Sequence, residues 1–167
     1  MRLSFDERLA QALIGCEKEF LPADWIPVKL NHQLTCNFYS SYPAIDRLEM
    51  KLHMSGGEAD RANFALLMRI IGMKQKWRIY GLDWNPAGRH VNPFFDGHKW
   101  SGRIFMPGET HEHHFEDRVT DDNPHQFGRP VKVDLASYEL ALAYFCVKVN
   151  IRRPPHLPSP PLEWLLI

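Results

Sequence analysis

The histidines of this chain are concentrated in one segment. Six of the nine lie between His90 and His125 in a sequence of 167 residues. They stand among Asp, Asn and Arg in a stretch rich in Gly and Pro, a setting in which imidazoles transfer protons, bind metal ions or contact phosphate. Because scattered histidines would be ordinary core or surface residues, the clustering predicts a polar functional site.

The most specific pattern in this segment is Gly-Glu-Thr-His-Glu-His-His at residues 108–114. In a strand, His111 and His113 point to one face and His114 points to the other. Two imidazoles on one face suit a general acid/base pair or the first two ligands of a transition metal. The side chains that could join them, once the preceding loop folds across the sheet, are His90, His98 and Asp83.

Acid/base chemistry leads to our first functional hypothesis, a small ribonuclease-like phosphodiesterase of toxin or mobile-element type. Cleavage without a metal needs an acid, a base and a cation that stabilises charge on phosphorus. His111 and His113 are the expected acid and base, His90 is expected to position the phosphate, and Asp83 to orient an imidazole. The expected substrate-binding residues are Asn92, Arg103 and Arg118. RNA is the partner that this hypothesis implies.

A second hypothesis is a metal-binding module. His111, His113 and either His90 or His98 would hold zinc or another divalent transition metal, in a catalytic or a structural site. The His-x-His spacing also partly resembles the first metal motif of the cupins. The sequence lacks a clear second cupin motif.

A third hypothesis is a non-catalytic interaction or inhibitor protein of phage or mobile-element origin. The proline-rich tail at residues 152–167 ends in the apolar segment Leu162–Ile167. Such an end packs on its own domain or on a protein partner. In this hypothesis the tail makes the contacts and the histidines are incidental.

Composition argues against several other classes of protein. Twenty basic and twenty acidic residues cancel, so no global field attracts nucleic acid or an anionic membrane. Glycine-rich phosphate loops and GxSxG motifs are absent from the sequence. The odd set Cys16, Cys36 and Cys146 has no CxxC spacing and predicts free thiols. The sequence also has no run of about 18 apolar residues, the length that a membrane helix requires. Together these features predict a cytoplasmic protein.

Periodicity predicts the elements that position the histidines. The capping box from Ser4 to Glu7 and an apolar stripe predict a helix over residues 5–20. A second helix is expected over 135–149, with Asp134 as its N-cap. Between the helices, apolar residues alternate with polar ones or form strand-length runs typical of an antiparallel sheet. The expected strands are 34–39, 47–54, 64–71, 76–84, 100–106 and 110–119.

The connections and faces follow from the same pattern. Residues 85–98 and 120–130 are predicted loops, and Trp77, Ile79 and Gly81 are expected on one face of their strand. The predicted fold class is α+β, with an N-terminal helix, a curved antiparallel sheet or small barrel of five or six strands, and a C-terminal helix. Residues 1–151 form the expected single domain, with both helices on one face and the histidine loops on the other.

The chain also resembles a family of small bacterial and phage-borne proteins of unknown function. The family shows an Asp at a strand end, a His-x-Asn-Pro loop, a Gly, a His-x-His strand and a final helix. The matching positions are Asp83, His90, Asn92, Pro93, Gly97, His111, His113, Phe145, Asn150 and Ile151. The resemblance covers residues 1–151 and implies a shared site without naming a reaction. The chain departs from the family in having His114-Phe115 where a Tyr-Arg pair is usual, and in the long gap before His111.

Overall fold

The computed structural model describes residues 7–18, 61–68, 77–116 and 127–152 in full. It describes residues 25–28, 31–38, 45–54 and 69–70 as backbone. The predicted tail at residues 152–167, apart from Arg152, and the positions of Arg118 and His125 lie outside these ranges.

One antiparallel sheet dominates the described residues and has the strand order β1-β2-β3-β4-β5-β8-β9. A separate pair, β6 and β7, forms a two-stranded antiparallel arm. The strands are β1 (Trp25–Val28), β2 (Asn31–Phe38), β3 (Ile45–Met54), β4 (Ala62–Ile70), β5 (Trp77–Trp84), β6 (His90–Val91), β7 (Ile104–Phe105), β8 (His111–His114) and β9 (Gly128–Pro130). The α+β class is confirmed, and the sheet is open rather than closed into a barrel.

The long alternating segments became strands where the sequence predicts them, and the short ones differ. Residues 100–106 contribute only β7, and His90–Val91 forms β6 inside the predicted loop. Gly128–Pro130 pairs with β8, although residues 120–130 are a predicted loop. Strands of two or three residues are too short to show a period, so their pairing comes from tertiary contacts.

Both helices, α1 (Glu7–Gly15) and α2 (Tyr138–Lys148), pack on one face of the sheet. Their apolar sides share one core with the inward positions of β4 and β5. The helix α1 is shorter than predicted and ends at Gly15. The N-cap of α2 is Ser137, whose side chain accepts a hydrogen bond from the Leu140 N–H, and not Asp134. Asp134 is not the N-cap because residues 131–136, which surround it, are irregular and the helix begins only at Tyr138.

A β-bulge in β5 changes the expected faces. Leu66 pairs with Tyr80 and Leu67 pairs with Arg78, so Ile79 is the extra residue. Because cross-strand partners share a face, the bulge turns Arg78 to the side opposite the helices. Trp77 and Ile79 share the helix face as predicted, but Gly81 lies on the other face.

Among the described residues, no helix has the length and apolar character needed to cross a membrane.

Candidate metal centre

The histidine site lies on the face of the sheet opposite the helices. Asp83 in β5 stands directly opposite His111 in β8, and Gly81 stands opposite His113. Leu82, between Gly81 and Asp83, points into the helix-side core. Strand alternation therefore brings Asp83, His111 and His113 to one face, as the His-x-His spacing predicts.

The loop at residues 85–106, here called the covering loop, brings a third imidazole to this face. Its arm pairs His90 with Phe105. The Phe105 ring stacks on His111 with centroids 4.4 Å apart. The ring centroid of His90 is 5.0 Å from that of His111 and 5.0 Å from that of His113. The loop therefore folds across the sheet, as a joint site requires.

The three imidazoles form a compact triangle. The centroids of His111 and His113 are also 5.0 Å apart, and the candidate ligand atoms of His90, His111 and His113 all lie within 4.8 Å of one another. Three imidazoles on one tetrahedral zinc ion, with Zn–N of about 2.0–2.1 Å, would have centroids about 5 Å apart. The spacing of the rings therefore fits a single small ion.

The remaining nitrogens show which atoms could bind it. His111 Nδ1 lies 2.8 Å from the Glu109 carbonyl oxygen, which can only accept, so in the neutral imidazole Nδ1 carries the proton and Nε2 keeps the lone pair. His90 Nε2 donates to Asn92 Oδ1 at 2.9 Å, which leaves Nδ1 as the acceptor nitrogen of His90. Metal-binding histidines commonly donate their other ring N–H in this manner.

Asp83 places a carboxylate against two of the rings. Its Oδ2 is 3.3 Å from His111 Nε2 and 3.2 Å from His113 Nε2. The contact with His111 lacks hydrogen-bond geometry, and His111 Nε2 has no hydrogen-bond partner although it is buried. Asp83 Oδ1 accepts a hydrogen bond from the Asn63 side chain, which fixes the carboxylate from β4. A lone-pair nitrogen facing a carboxylate oxygen is an arrangement that a shared cation stabilises.

The pKa values favour the ligand forms of these groups. Burial lowers the pKa of His113, and it lowers the pKa of His90 in the same way. Burial alone would raise the pKa of Asp83, but the imidazoles of His111 and His113 hold it well below its ordinary value. Near neutral pH the site therefore has a carboxylate and neutral imidazoles at positions 90 and 113, which are the forms that bind metal ions.

Asn92, a predicted substrate-binding residue, is buried and hydrogen-bonded within the protein. It is 1 % exposed. Its Nδ2 donates to the carbonyls of Trp100 and Gly128 at 2.7 and 2.9 Å. Its Oδ1 accepts from the Gly128 N–H at 2.7 Å as well as from His90. With these bonds made, Asn92 joins the covering loop to β9 and fixes the tautomer of His90.

The other predicted site residues lie apart from the triangle. The Arg103 guanidinium packs over the rings of Trp100 and Phe105, at 5.4 and 4.9 Å from their centroids. His98 pairs with Glu116 at 3.0 Å and stacks on Phe127. His114 lies on the helix face, as expected, and its Nε2 is 3.0 Å from Glu112. Arg118 lies outside the described residues.

Three positions near the site carry little signal in the sequence. Asn63 reaches Asp83 from another strand, and Arg78 reaches this face only through the bulge. Gly128 is the most closely packed of these three positions. A Cβ there would lie 2.8 Å from the Phe105 ring and 3.1 Å from both His111 and His90. An Asn, an Arg and a Gly are too common to stand out, and only the sheet register connects them with the histidines.

Comparisons with protein-family models, curated proteins and solved structures find no match for this chain. The resemblance to the bacterial and phage-borne family therefore stays a prediction, and the site has to be interpreted from its own geometry.

Proposed function

We propose that this protein binds a transition-metal ion through His90, His111, His113 and Asp83. Imidazole and carboxylate ligands without a thiolate suit zinc or another divalent ion of the first transition row. Zinc is the first candidate because it accepts three imidazoles and one oxygen in a tetrahedral site. A water molecule or a substrate oxygen would have to bind as a fifth ligand, and the metal would then polarise it as a Lewis acid.

One observation carries this proposal. His111 Nε2 is buried, has no hydrogen-bond partner and faces the Asp83 carboxylate at 3.3 Å. A buried polar atom left in this state costs about 1–3 kcal/mol, and a bound cation removes that cost. The proton on Nδ1, held by the Glu109 carbonyl, keeps the lone pair of Nε2 directed toward the same point.

Burial also favours a metal site over a metal-free acid/base pair. His111 and His113 are 0 % and 1 % exposed. A general acid and base must each come within hydrogen-bond reach of the substrate. Phe105 and Gly128 cover the ring of His111, so a substrate would have to displace the covering loop to reach this imidazole. The ribonuclease-like activity stays a prediction. With a metal bound, that activity would depend on the metal ion rather than on a histidine acid/base pair.

Elemental analysis tests the proposal directly. The untagged protein would be purified without chelator, and its metal content compared with that of the double variant His111→Ala/His113→Ala. We expect a stoichiometric amount of zinc or a related ion in the wild type and almost none in the variant, because two ligands are lost.

The matched control is His114→Ala, which removes the neighbouring imidazole on the opposite face. It should keep the full metal content, since His114 contacts Glu112 and Tyr80 rather than the triangle. Equal loss of metal in the control and the double variant would contradict the proposal, as would a wild type that stays metal-free after incubation with zinc.

A further inference from the structure

The site is closed on one side and accessible on another. Phe105, Asn92 and Gly128 are buried around His90 and His111. In contrast, the Asp83 side chain is 20 % exposed. A ligand from solvent would therefore reach the site along the Asp83 side.

Arg78 lies at this accessible side. The β5 bulge puts it on the face of Asp83. A Cβ at Gly81 would lie 3.2 Å from Arg78 Cδ and 3.5 Å from both Nε and Nη1. The arginine side chain therefore runs across the Gly81 position toward Asp83. Gly81 in turn is the register partner of His113, so the guanidinium lies beside the metal ligands.

Electrostatics agree with this placement. Burial is the main cause of the lowered pKa of His113, and the charge of Arg78 lowers it further. The same charge contributes to the lowered pKa of His90. Burial lowers the pKa of Arg78, and the negative charge of Asp83 opposes this shift.

Metal binding would add positive charge next to Arg78. A divalent ion held by Asp83 and the imidazoles would lie beside the Arg78 guanidinium. Two neighbouring cations favour an anion between them, and a guanidinium is well suited to bind a phosphate or carboxylate through two parallel hydrogen bonds. A bound metal is often the largest local charge in such a site.

Small residues lie beside His113 on this face. Ala65, Gly81 and His113 follow one another across β4, β5 and β8. Ala65 and Gly81 therefore place no large side chain next to His113 in this row.

We propose that the site takes an oxyanion ligand, a phosphate or carboxylate group, which enters on the Asp83 side and binds between the metal ion and Arg78. This inference rests on the proposed metal site and names the class of ligand that the site would take.

Calorimetry with the cobalt-loaded protein tests the inference, with inorganic phosphate and acetate as the two probes. We expect the wild type to bind at least one of them, and the identity of that probe indicates which oxyanion class the site prefers. The variant Arg78→Gln should bind that probe at least about tenfold more weakly while keeping its cobalt, since a charge-assisted hydrogen bond is lost. The affinity of Arg78→Lys for the probe should lie between those of the wild type and Arg78→Gln, because the positive charge stays and the planar guanidinium is lost. Arg89→Gln, at an exposed position of the covering loop, should leave binding unchanged.

Several outcomes would overturn the inference and are distinct from failure of the metal proposal. Full cobalt content with no response to either probe would overturn it. So would equal binding by wild type and Arg78→Gln, or loss of cobalt in Arg78→Gln, which would make Arg78 a structural residue. A wild type that takes up no cobalt defeats the metal proposal. In that case, probe binding that disappears in Arg78→Gln would still support Arg78 as the anion-binding residue, and unchanged binding would overturn that role too.

Discussion

At the scale of single residues, hydrogen-bond direction gives the site its chemical character. The Glu109 carbonyl and the Asn92 amide oxygen each accept a hydrogen bond from one imidazole nitrogen. The opposite nitrogens of His111 and His90 are thereby left as lone-pair donors. Sequence alone predicts that His111 and His113 share a face, because strand alternation is local. It does not predict the tautomers, because these depend on partners that the fold supplies.

Asn92 offers a test of this residue-level account. In Asn92→Ala, His90 loses its acceptor and three backbone groups lose a partner. We expect zinc affinity to fall about 10–100-fold, as for other lost partners of metal ligands. The free energy of unfolding should fall by about 2–4 kcal/mol, because buried polar groups are left unpaired. Competition titration with a chromophoric chelator and urea unfolding measure the two effects.

The matched variant Asn92→Asp keeps the acceptor for His90 and cannot donate to the Trp100 and Gly128 carbonyls. It should lose stability while retaining more zinc affinity than Asn92→Ala. If both variants bound zinc as tightly as the wild type, the role given to Asn92 would be wrong.

Gly128 is the position where close packing matters most for the site. Gly128→Ala puts a methyl group 2.8 Å from Phe105 and 3.1 Å from His111 and His90. We expect overpacking to cost about 1–3 kcal/mol of stability and to weaken zinc binding, although no ligand is changed. Thermal melting and zinc titration provide the measurement. Gly88→Ala is the control, since a Cβ there meets nothing within 4 Å. Equal behaviour of the two variants would argue against this packing role.

At the scale of elements, the sequence predicted the long strands, missed β1, β6 and β9, and placed β7 within a longer expected strand. The four strands β2 to β5 show alternation or apolar runs over eight to ten residues. In contrast, β6, β7 and β9 have only two or three residues. The β5 bulge was also missed, because one inserted residue leaves no mark on composition. This local irregularity is nonetheless what brings Arg78 to the face of the site.

Lys18 connects the ends of the two helices. Its ammonium donates to the carbonyls of Ile14, Cys16 and Val149 at 3.0, 2.7 and 2.5 Å. These carbonyls belong to the C-terminal ends of α1 and α2, where a cation is favourable. Burial nevertheless lowers the pKa of Lys18 from 10.5 to about 8.

This pKa predicts a particular pH dependence of stability. Between pH 8 and 10.5 the unfolded chain keeps the Lys18 proton and the folded protein releases it. Since the unfolded state binds more protons in this window, Lys18 makes the free energy of unfolding rise as the pH rises. Urea unfolding at a series of pH values should show this contribution in the wild type and not in Lys18→Met. Lys148→Met, at an exposed lysine of α2, should behave as the wild type. Parallel pH curves for wild type and Lys18→Met would contradict the prediction.

At the scale of the whole molecule, the candidate site forms where three segments of one stretch of the chain meet. β5 supplies Asp83, the covering loop supplies His90, and β8 supplies His111 and His113. The clustering of histidines in sequence indicated a site. That the covering loop packs against β8 depends on tertiary contacts, such as those of Asn92 with Gly128. Spacing in the sequence could not have shown these contacts.

Because the ligands come from separate segments, metal binding should stabilise the whole fold. Zinc at about 100 times its Kd would add about 2.7 kcal/mol to the free energy of unfolding. For a domain of this size we expect the Tm to rise by roughly 5–10 °C. Differential scanning calorimetry measures this shift, and chelator should reverse it. His111→Ala/His113→Ala should show no shift and His114→Ala should show the full shift. The reverse pattern in the two variants would count against the ligand assignment.

X-ray absorption at the zinc edge tests the proposed ligand set, because it reports which atoms surround the metal. We expect three imidazole nitrogens and one oxygen at about 2.0–2.1 Å from zinc. The imidazole signal should be smaller in His90→Gln. A zinc environment without imidazoles, or a spectrum that is the same in wild type and His111→Ala/His113→Ala, would contradict the account.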